Sequence, residues 1–272
     1  MKVAFLGPRG TFCEEAARRH FSKPGTEFIT CPDIPEIFRK VERDEAGHGV
    51  VPIENSTEGS VNLTLDLLHE YPLKVSGEVE LRVRHNLIIR PGMKMGDVKD
   101  VLSHPQALGQ CRRFLSQNLP AARRVEVAST AKAVEMLKSL KDAAAIGTEL
   151  AAEVNKMEIL VRGIEDNPNN FTRFFVIGRS VAPPSGEDKT SIAFTVPNVP
   201  GSLYHALGEF AVRNINLTKI ESRPTKQRPW EYIFYVDFEG HASDTNCLEA
   251  LEGLRKKAAF LEVLGSYPKA RS

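Results

Sequence analysis

Cysteine is scarce and scattered. Cys13, Cys31, Cys111 and Cys247 stand apart, with no CxxC spacing and no accompanying histidine cluster, which argues against both a disulfide framework and a zinc site. An excess of one charge is missing as well. The 272 residues carry 36 Lys+Arg against 35 Asp+Glu. Residues 190–272 hold 10 and 9 of these, so residues 1–189 hold 36 − 10 = 26 and 35 − 9 = 26. Without a basic stripe to neutralise phosphates, nucleic acid is excluded as a partner. Long apolar runs are also absent. The longest stretch free of Asp, Glu, Lys and Arg runs from Thr190 to Gly208, and Pro197, Asn198, Pro200 and His205 interrupt it, so no membrane span is predicted. The apolar start Val3–Leu6 breaks at Gly7 and Pro8, too short for a signal peptide, and the expected location is cytoplasmic.

What is present is a repeating alternation of short apolar runs and amphipathic segments. Val3–Leu6 reads as a strand, and Thr11 with Glu14 forms a T-x-x-E start for a helix to about Phe21. Asp33 opens a helix with Ile34, Ile37, Phe38 and Val41 on one side. Strands are expected at Gly49–Ile53, Val101–Ser103, Val125–Ala128 and Ala143–Ile146, the last three followed by helices from about Pro105, Ser129 or Thr130, and Thr148. This order predicts parallel α/β sheets. Lys74–Val83 and Asn86–Ile89 are two extended segments with no helix between them. There the chain is expected to cross into a second lobe, with Val161–Gly178 as the return, leaving a cleft between the lobes.

Ser180–Lys189 has the Pro/Gly/Ser density of a linker. The expected domains are therefore 1–180, a linker at 181–189, and 190–272. The last segment reads as strand, helix, strand, strand, helix, strand, an antiparallel βαββαβ sheet with helices on one face.

Polar chemistry gathers in the connections that follow strands, where helix N-termini offer free N–H groups. Thr11, Glu54-Asn55-Ser56-Thr57, Ser103-His104-Pro105-Gln106 and Ser129-Thr130 all lie there. A helix cap needs one such residue, whereas residues 54–57 supply four in succession. Asn170-Phe171-Thr172-Arg173-Phe174 sets a hydroxyl and a guanidinium among aromatics at the mouth of a strand, which suits a half-dry site that holds an anion and donates a hydrogen bond.

Five strings in order, Phe-Leu-Gly-Pro-x-Gly-Thr-Phe at 5–12, Pro-Ile-Glu-Asn-Ser at 52–56, Ser-His-Pro-Gln-Ala-Leu at 103–108, Asn-Phe-Thr-Arg-Phe at 170–174 and Glu-Ser-Arg-Pro at 221–224, make the chain resemble the prephenate dehydratases that carry a C-terminal ACT regulatory domain. Cys13 stands where Ser is commoner, and Ser202 replaces a frequent Ala. The resemblance implies a two-lobed catalytic domain like the type II periplasmic binding proteins plus a ferredoxin-like ACT domain. It implies conversion of prephenate to phenylpyruvate without metal or cofactor, L-phenylalanine as allosteric effector, and a homodimer or homotetramer. Thr172 is implied as the residue most tied to catalysis, with Asn55 and Gln106 in support. Gly201, Ser202, Leu203, Glu221, Ser222 and Arg223 are implied to bind the effector.

Chemistry refines these expectations. Aromatisation drives the reaction, so the site must hold the ring, help hydroxide leave as water and let a carboxylate become neutral carbon dioxide. An arginine clamp on that carboxylate would stabilise the ground state, so it is expected among apolar groups such as Phe171 or Phe174, with the side-chain carboxylate at helix N-termini near Thr11 or Ser129 and Thr130. Thr172 can donate to the leaving hydroxyl; Glu54 and His104 are the titratable candidates. Ser56, Ser103 and Arg173 complete the expected binding set. Arogenate dehydration and a non-catalytic amino-acid sensor are the competing readings.

Overall fold

The computed structural model describes residues 1–226 and 230–270. The chain starts with β1 (Lys2–Leu6), α1 (Phe12–His20), β2 (Glu27–Cys31), α2 (Ile34–Glu42), β3 (His48–Asn55), β4 (Gly59–Ser60), α3 (Asn62–Glu70) and β5 (Lys74–Arg82). It then crosses into β6 (Asn86–Ile89), β7 (Asp100–Ser103), α4 (Pro105–Gln110), α5 (Arg112–Asn118), β8 (Arg123–Glu126), α6 (Thr130–Met136), β9 (Ala143–Gly147), α7 (Glu149–Asn155) and β10 (Glu158–Val161), and returns as β11 (Phe171–Gly178). The first lobe is a sheet of order β2-β1-β3-β11-β5, with β4 pairing β3, and the second is β10-β6-β9-β7-β8. Two chain crossings, β5 to β6 and β10 to β11, therefore join the lobes.

Local chemistry explains the elements. Asp33 accepts from the Glu36 N–H and starts α2, which buries Ile34, Ile37, Phe38 and Val41 on β3 and β1. Thr11, Ser129 and Thr148 likewise accept from the backbone three residues on. All five residues of β9 are buried, as expected of a strand covered on both faces. The sheets are only partly parallel. β1, β2 and β3 run together, as do β7, β8 and β9, but β5, β6, β10 and β11 pair antiparallel to their neighbours. The reason lies in the crossings, which bring β6 and β11 in from the opposite end without a helical return, so that β10 and β5, which run with the other strands, pair antiparallel to them.

The C-terminal domain comprises β12 (Asp188–Thr195), α8 (Ser202–Ala211), β13 (Leu217–Pro224), β14 (Tyr232–Glu239), α9 (Thr245–Arg255) and β15 (Phe260–Pro268), in sheet order β13-β14-β12-β15. β12 thus begins at Asp188, inside the expected linker, where the Asp188 carboxylate accepts from the Ser185 and Gly186 N–H groups and closes a turn. One face of the sheet packs on α8 and α9 through Ile192, Phe194, Val236 and Phe238. The other shares a core with the first lobe: Ala193, Ile233, Tyr235, Leu264 and Tyr267 join Leu68, Leu73, Val75 and Phe175. Among the described residues, no helix is long and apolar enough to cross a membrane.

At the centre of that seam Gly265 of β15 lies directly on the Val75 backbone of β5. A Cβ placed on Gly265 would overlap the Val75 carbonyl oxygen. Backbone on both sides cannot yield as a flexible side chain would, so Gly265→Ala should destabilise the intact protein by about 1–3 kcal/mol. Denaturant midpoints measure this; an unchanged midpoint would show that the seam relaxes freely.

Candidate active site and effector cavity

β3 and β11 carry the residues at issue. They pair in the register Thr172 with Asn55 and Arg173 with Glu54, and then Phe174 with Pro52. Ile53 is skipped, which makes it the extra residue of a β-bulge. Because a strand alternates its side chains, one extra residue turns everything beyond it to the opposite face. Asn55 is thereby set beside Thr172, and Glu54 is turned towards the C-terminal domain.

Asn55 is held at both ends of its amide. Its Oδ1 accepts from the Thr57 and Glu58 N–H groups, each at 3.0 Å. Its Nδ2 donates to Thr172 Oγ1 at 2.9 Å, to Asn170 Oδ1 at 2.8 Å and to the Phe171 carbonyl at 3.1 Å. The two backbone donors fix which end is oxygen. With Asn55 as donor, the Thr172 oxygen accepts and its own proton is left to donate elsewhere. Phe171, 43% exposed, precedes Thr172 on the strand, its ring leaving the opposite face, and its N–H is tied to Ser56 Oγ at 2.9 Å. A fixed, uncharged hydroxyl donor can serve a leaving oxygen without placing a cation on a departing carboxylate.

Several expected residues do other work. Arg173 is 9% exposed and cannot reach a ligand in the cleft. Its Nε donates to Glu78 at 2.7 Å, Nη1 to Asp237 at 2.6 Å and Nη2 to Tyr267 at 2.9 Å. Burial opposes its charge, but Asp237, Tyr267 and Glu78 outweigh that and raise its pKa. Burial likewise pushes the Glu78 carboxyl up, and the Arg173 guanidinium, the Ala270 N–H and Lys189 together more than reverse it, leaving the group below the ordinary carboxylate range. Phe174 lies in the core with Val3, Phe5 and Ala16, where alternation from Arg173 must send it. Glu54 sits 3.7 Å from Arg173 and 3.3 Å from Lys219, so it belongs to the domain contact rather than the cleft. Ser103 is buried and donates to the Ile146 carbonyl, bridging two strands. Thr11 and Ser129 are helix caps, Thr11 also donating to the Leu6 carbonyl. His104 Nδ1 accepts from the Gln106 N–H and caps α4. Thr130 opens α6, partly exposed, and the Gln106 side chain is exposed on the second lobe.

The effector string divides in the same way. Gly201 precedes α8 with φ +83°, a left-handed conformation that favours glycine. Ser202 and Leu203 line a cavity of about 620 Å³ together with Asp66, His69, Trp230 and Tyr232. Glu221 and Arg223 do not line it and reach to the first lobe: Ser60 Oγ donates to Glu221 at 2.7 Å, and Arg223 makes a two-point bridge at 2.6 and 2.8 Å to Asp66 of the cavity wall. Ser222 faces outward and is exposed.

Residues that the motifs did not mark complete the picture. Thr148 Oγ1 donates to the Gly10 carbonyl at 2.7 Å, and a Cβ on Gly10 would lie 2.7 Å from Ala151 Cα, so the lobes touch backbone to helix there. Asp237 interrupts the apolar strand β14 with a carboxylate, which was the available signal that it meets a buried cation; Glu78 stands among the other polar residues of β5 and carried no such signal. Among the described residues, no group of three or more His, Cys, Asp or Glu side chains is arranged to hold a metal ion.

The geometry predicts that Asn55→Asp, which keeps the shape but removes the donor, lets Thr172 turn its proton to the new carboxylate. Turnover should fall by about a hundredfold. Steady-state rates on the folded variant measure this; an unchanged rate would mean the amide does not set the direction of the hydroxyl.

Comparison with known proteins gives a consistent result. Residues 3–182 match the family model described as prephenate dehydratase, and residues 190–256 match that of the ACT domain. The prephenate dehydratase of Methanocaldococcus jannaschii is 43% identical over 275 residues, covering 98% of this chain and 97% of its own. The solved prephenate dehydratase of Arthrobacter aurescens in complex with L-Phe is 36% identical, with a TM-score of 0.90 over 99% of this chain and 90% of that one. A structure described as GqqA, a novel type of quorum quenching acylase, is 33% identical with a TM-score of 0.91 over 99% and 98% of the two chains.

Proposed function

The chain belongs to the prephenate dehydratase family, and on that premise we propose that it converts prephenate to phenylpyruvate, with Thr172 donating to the departing hydroxyl. The observation that carries this reading is the 2.9 Å bond from Asn55 Nδ2 to Thr172 Oγ1. An alkoxide is too basic to accumulate, so threonine acts here by hydrogen bonding to the leaving oxygen as charge builds on it, or by relaying a proton from water. Aromatisation of the ring supplies the driving force, and the neutral Asn55–Thr172 pair leaves the ring carboxylate free to depart as carbon dioxide. Gln106 of the second lobe is proposed to close on substrate oxygens from the far side. The four cysteines are all unpaired thiols, which suits a reducing cytoplasm.

The cavity of about 620 Å³ is proposed to bind L-phenylalanine as the effector. Leu203, Tyr232 and Phe260 offer an apolar wall for the ring, Glu70 offers a carboxylate for the ammonium group, and the N–H groups opening α8 can receive the carboxylate. Since Asp66, His69 and Glu70 belong to α3 of the first lobe, occupancy would be felt by both domains. Coupling of about 1–3 kcal/mol is ordinary for such linkage. β13 is an edge strand with Ile220 exposed, and Trp230 close by is 77% exposed. Side-by-side pairing of two copies along this edge would cover them and give a homodimer or homotetramer.

Turnover of prephenate and of arogenate by the purified protein tests the activity directly, and an aromatic product from neither would favour a sensor. Within the active protein, Thr172→Val should lower kcat by about a hundredfold or more with KM little changed. Near-normal turnover of a folded Val variant would remove Thr172 from the mechanism. For the effector, Gly201→Val forces a branched residue into a left-handed conformation and should eliminate phenylalanine binding in calorimetry on the intact protein. No binding by the unaltered protein at millimolar phenylalanine would refute the assignment of the cavity.

A further inference from the structure

Thr172 and Arg173 are consecutive residues of β11 whose side chains leave opposite faces of the sheet, one towards the cleft and the other into the C-terminal domain. What Arg173 meets there is a closed ring of hydrogen bonds. Its Nη2 donates to the Tyr267 hydroxyl at 2.9 Å; that hydroxyl donates to Ser191 Oγ at 2.6 Å; Ser191 donates to Asp237 Oδ1 at 2.5 Å; and Asp237 Oδ2 accepts from Arg173 Nη1 at 2.6 Å. Only one set of proton positions satisfies every member. Asp237 cannot donate, so Ser191 must donate to it and therefore accepts from Tyr267, whose oxygen in turn accepts from Arg173. The remaining Nε goes to Glu78, which is itself held by Lys189 at 3.0 Å and by the Ala270 N–H at 2.8 Å. The guanidinium also lies 4.8 Å from the centre of the Phe175 ring.

The ring stands beside an irregularity of the sheet. On the β3 side the bulge interrupts pairing between Arg173 and Phe174, while on the other side pairing with β5 runs on through Thr172 and Arg173, so β3 alone leaves a break next to these two residues. We propose that Arg173, locked by Asp237, Tyr267 and Ser191 of the C-terminal domain, is a positioning residue for Thr172, so that the regulatory domain is part of the basal catalytic apparatus even without effector. This inference rests on the functional reading above. Its physical basis is leverage. If Asp237 loses its charge, the carboxylate left for Nη1 to turn to is that of Glu54, 3.7 Å away, directly opposite on β3 and adjacent to Asn55. A swing of Arg173 towards it would drag both members of the Asn55–Thr172 pair, and a displacement of about 1 Å in a reacting group costs on the order of a hundredfold in rate.

The test uses the full chain. Asp237→Asn should lower kcat about tenfold or more with KM within about twofold. Tyr267→Phe, nearly isosteric and the gentler change, should show a smaller loss of the same kind. Since a mere loss of folded protein would also lower kcat, the deciding measurement is non-additivity. Placed on Thr172→Val, Tyr267→Phe should cause no further fall in kcat, because the hydroxyl it positions is already gone. A fall that multiplies with that of Thr172→Val, or wild-type kcat in folded Asp237→Asn and Tyr267→Phe variants, overturns the proposal. Methyl NMR of carbon-labelled threonine gives a readout independent of turnover: the Thr172 methyl resonance should move in Tyr267→Phe. If the unaltered protein did not act on prephenate, the functional reading would fail, whereas an unmoved Thr172 resonance would defeat the positioning role.

Discussion

The buried cation of Arg173 is the constraint around which the protein is organised. A guanidinium so far from water is tolerable only if every donor is matched and its charge is balanced nearby. The protein supplies Glu78 from β5, Asp237 from β14 and Glu54 from β3, and offsets these with Lys189 and Lys219. Those partners come from both domains, so the cation can be satisfied only when the C-terminal sheet is docked. Removing one partner of a buried pair generally costs about 3–5 kcal/mol, enough to tie the state of the catalytic strand to the state of the interface.

Around that anchor, charge is segregated by a single extra residue. The bulge at Ile53 sends the carboxylate of Glu54 to the side where a cation waits and leaves the neutral amide of Asn55 on the side of Thr172. Had the register continued unbroken, a carboxylate would face the hydroxyl and compete for its proton. The cleft instead presents a hydroxyl whose acceptor capacity is used and whose proton is not. The second contact row, Lys219, Glu221 and Arg223 against Glu54, Ser60 and Asp66, lies along one face of β13, so the effector string serves as much to join the domains as to line a cavity.

Much of this architecture is legible in the residues themselves. The period of Ile34, Ile37, Phe38 and Val41, the capping hydroxyls of Ser129 and Thr148 and the missing helix between β5 and β6 each act through local physics, and the structure follows them. The family strings pointed to Asn55 and Thr172 together. What could not be read is which way neighbouring side chains face, because that depends on a register shift with no local signature. Hence Glu54, Arg173 and Phe174 were expected in the cleft and lie elsewhere. Ser103 lies elsewhere for a related reason: a hydroxyl after a strand serves a carbonyl as readily as a ligand. Docking of the C-terminal sheet did leave a trace. Tyr232-Ile-Phe-Tyr-Val-Asp-Phe238 lacks the alternation of a strand with one wet face, and its neighbours Ile233 and Phe234 are indeed packed into different cores.

The bare contact between Gly265 and Val75 bears on how such a molecule can change over generations. Most surfaces between modules drift by compensating exchanges, a larger side chain on one side matched by a smaller one on the other. A contact made of main chain on both sides has no smaller option left, and every residue other than glycine adds an atom where none fits. The two halves are therefore bound to be inherited together, and a regulatory module borrowed from elsewhere would have to arrive with its own bare strand already in register.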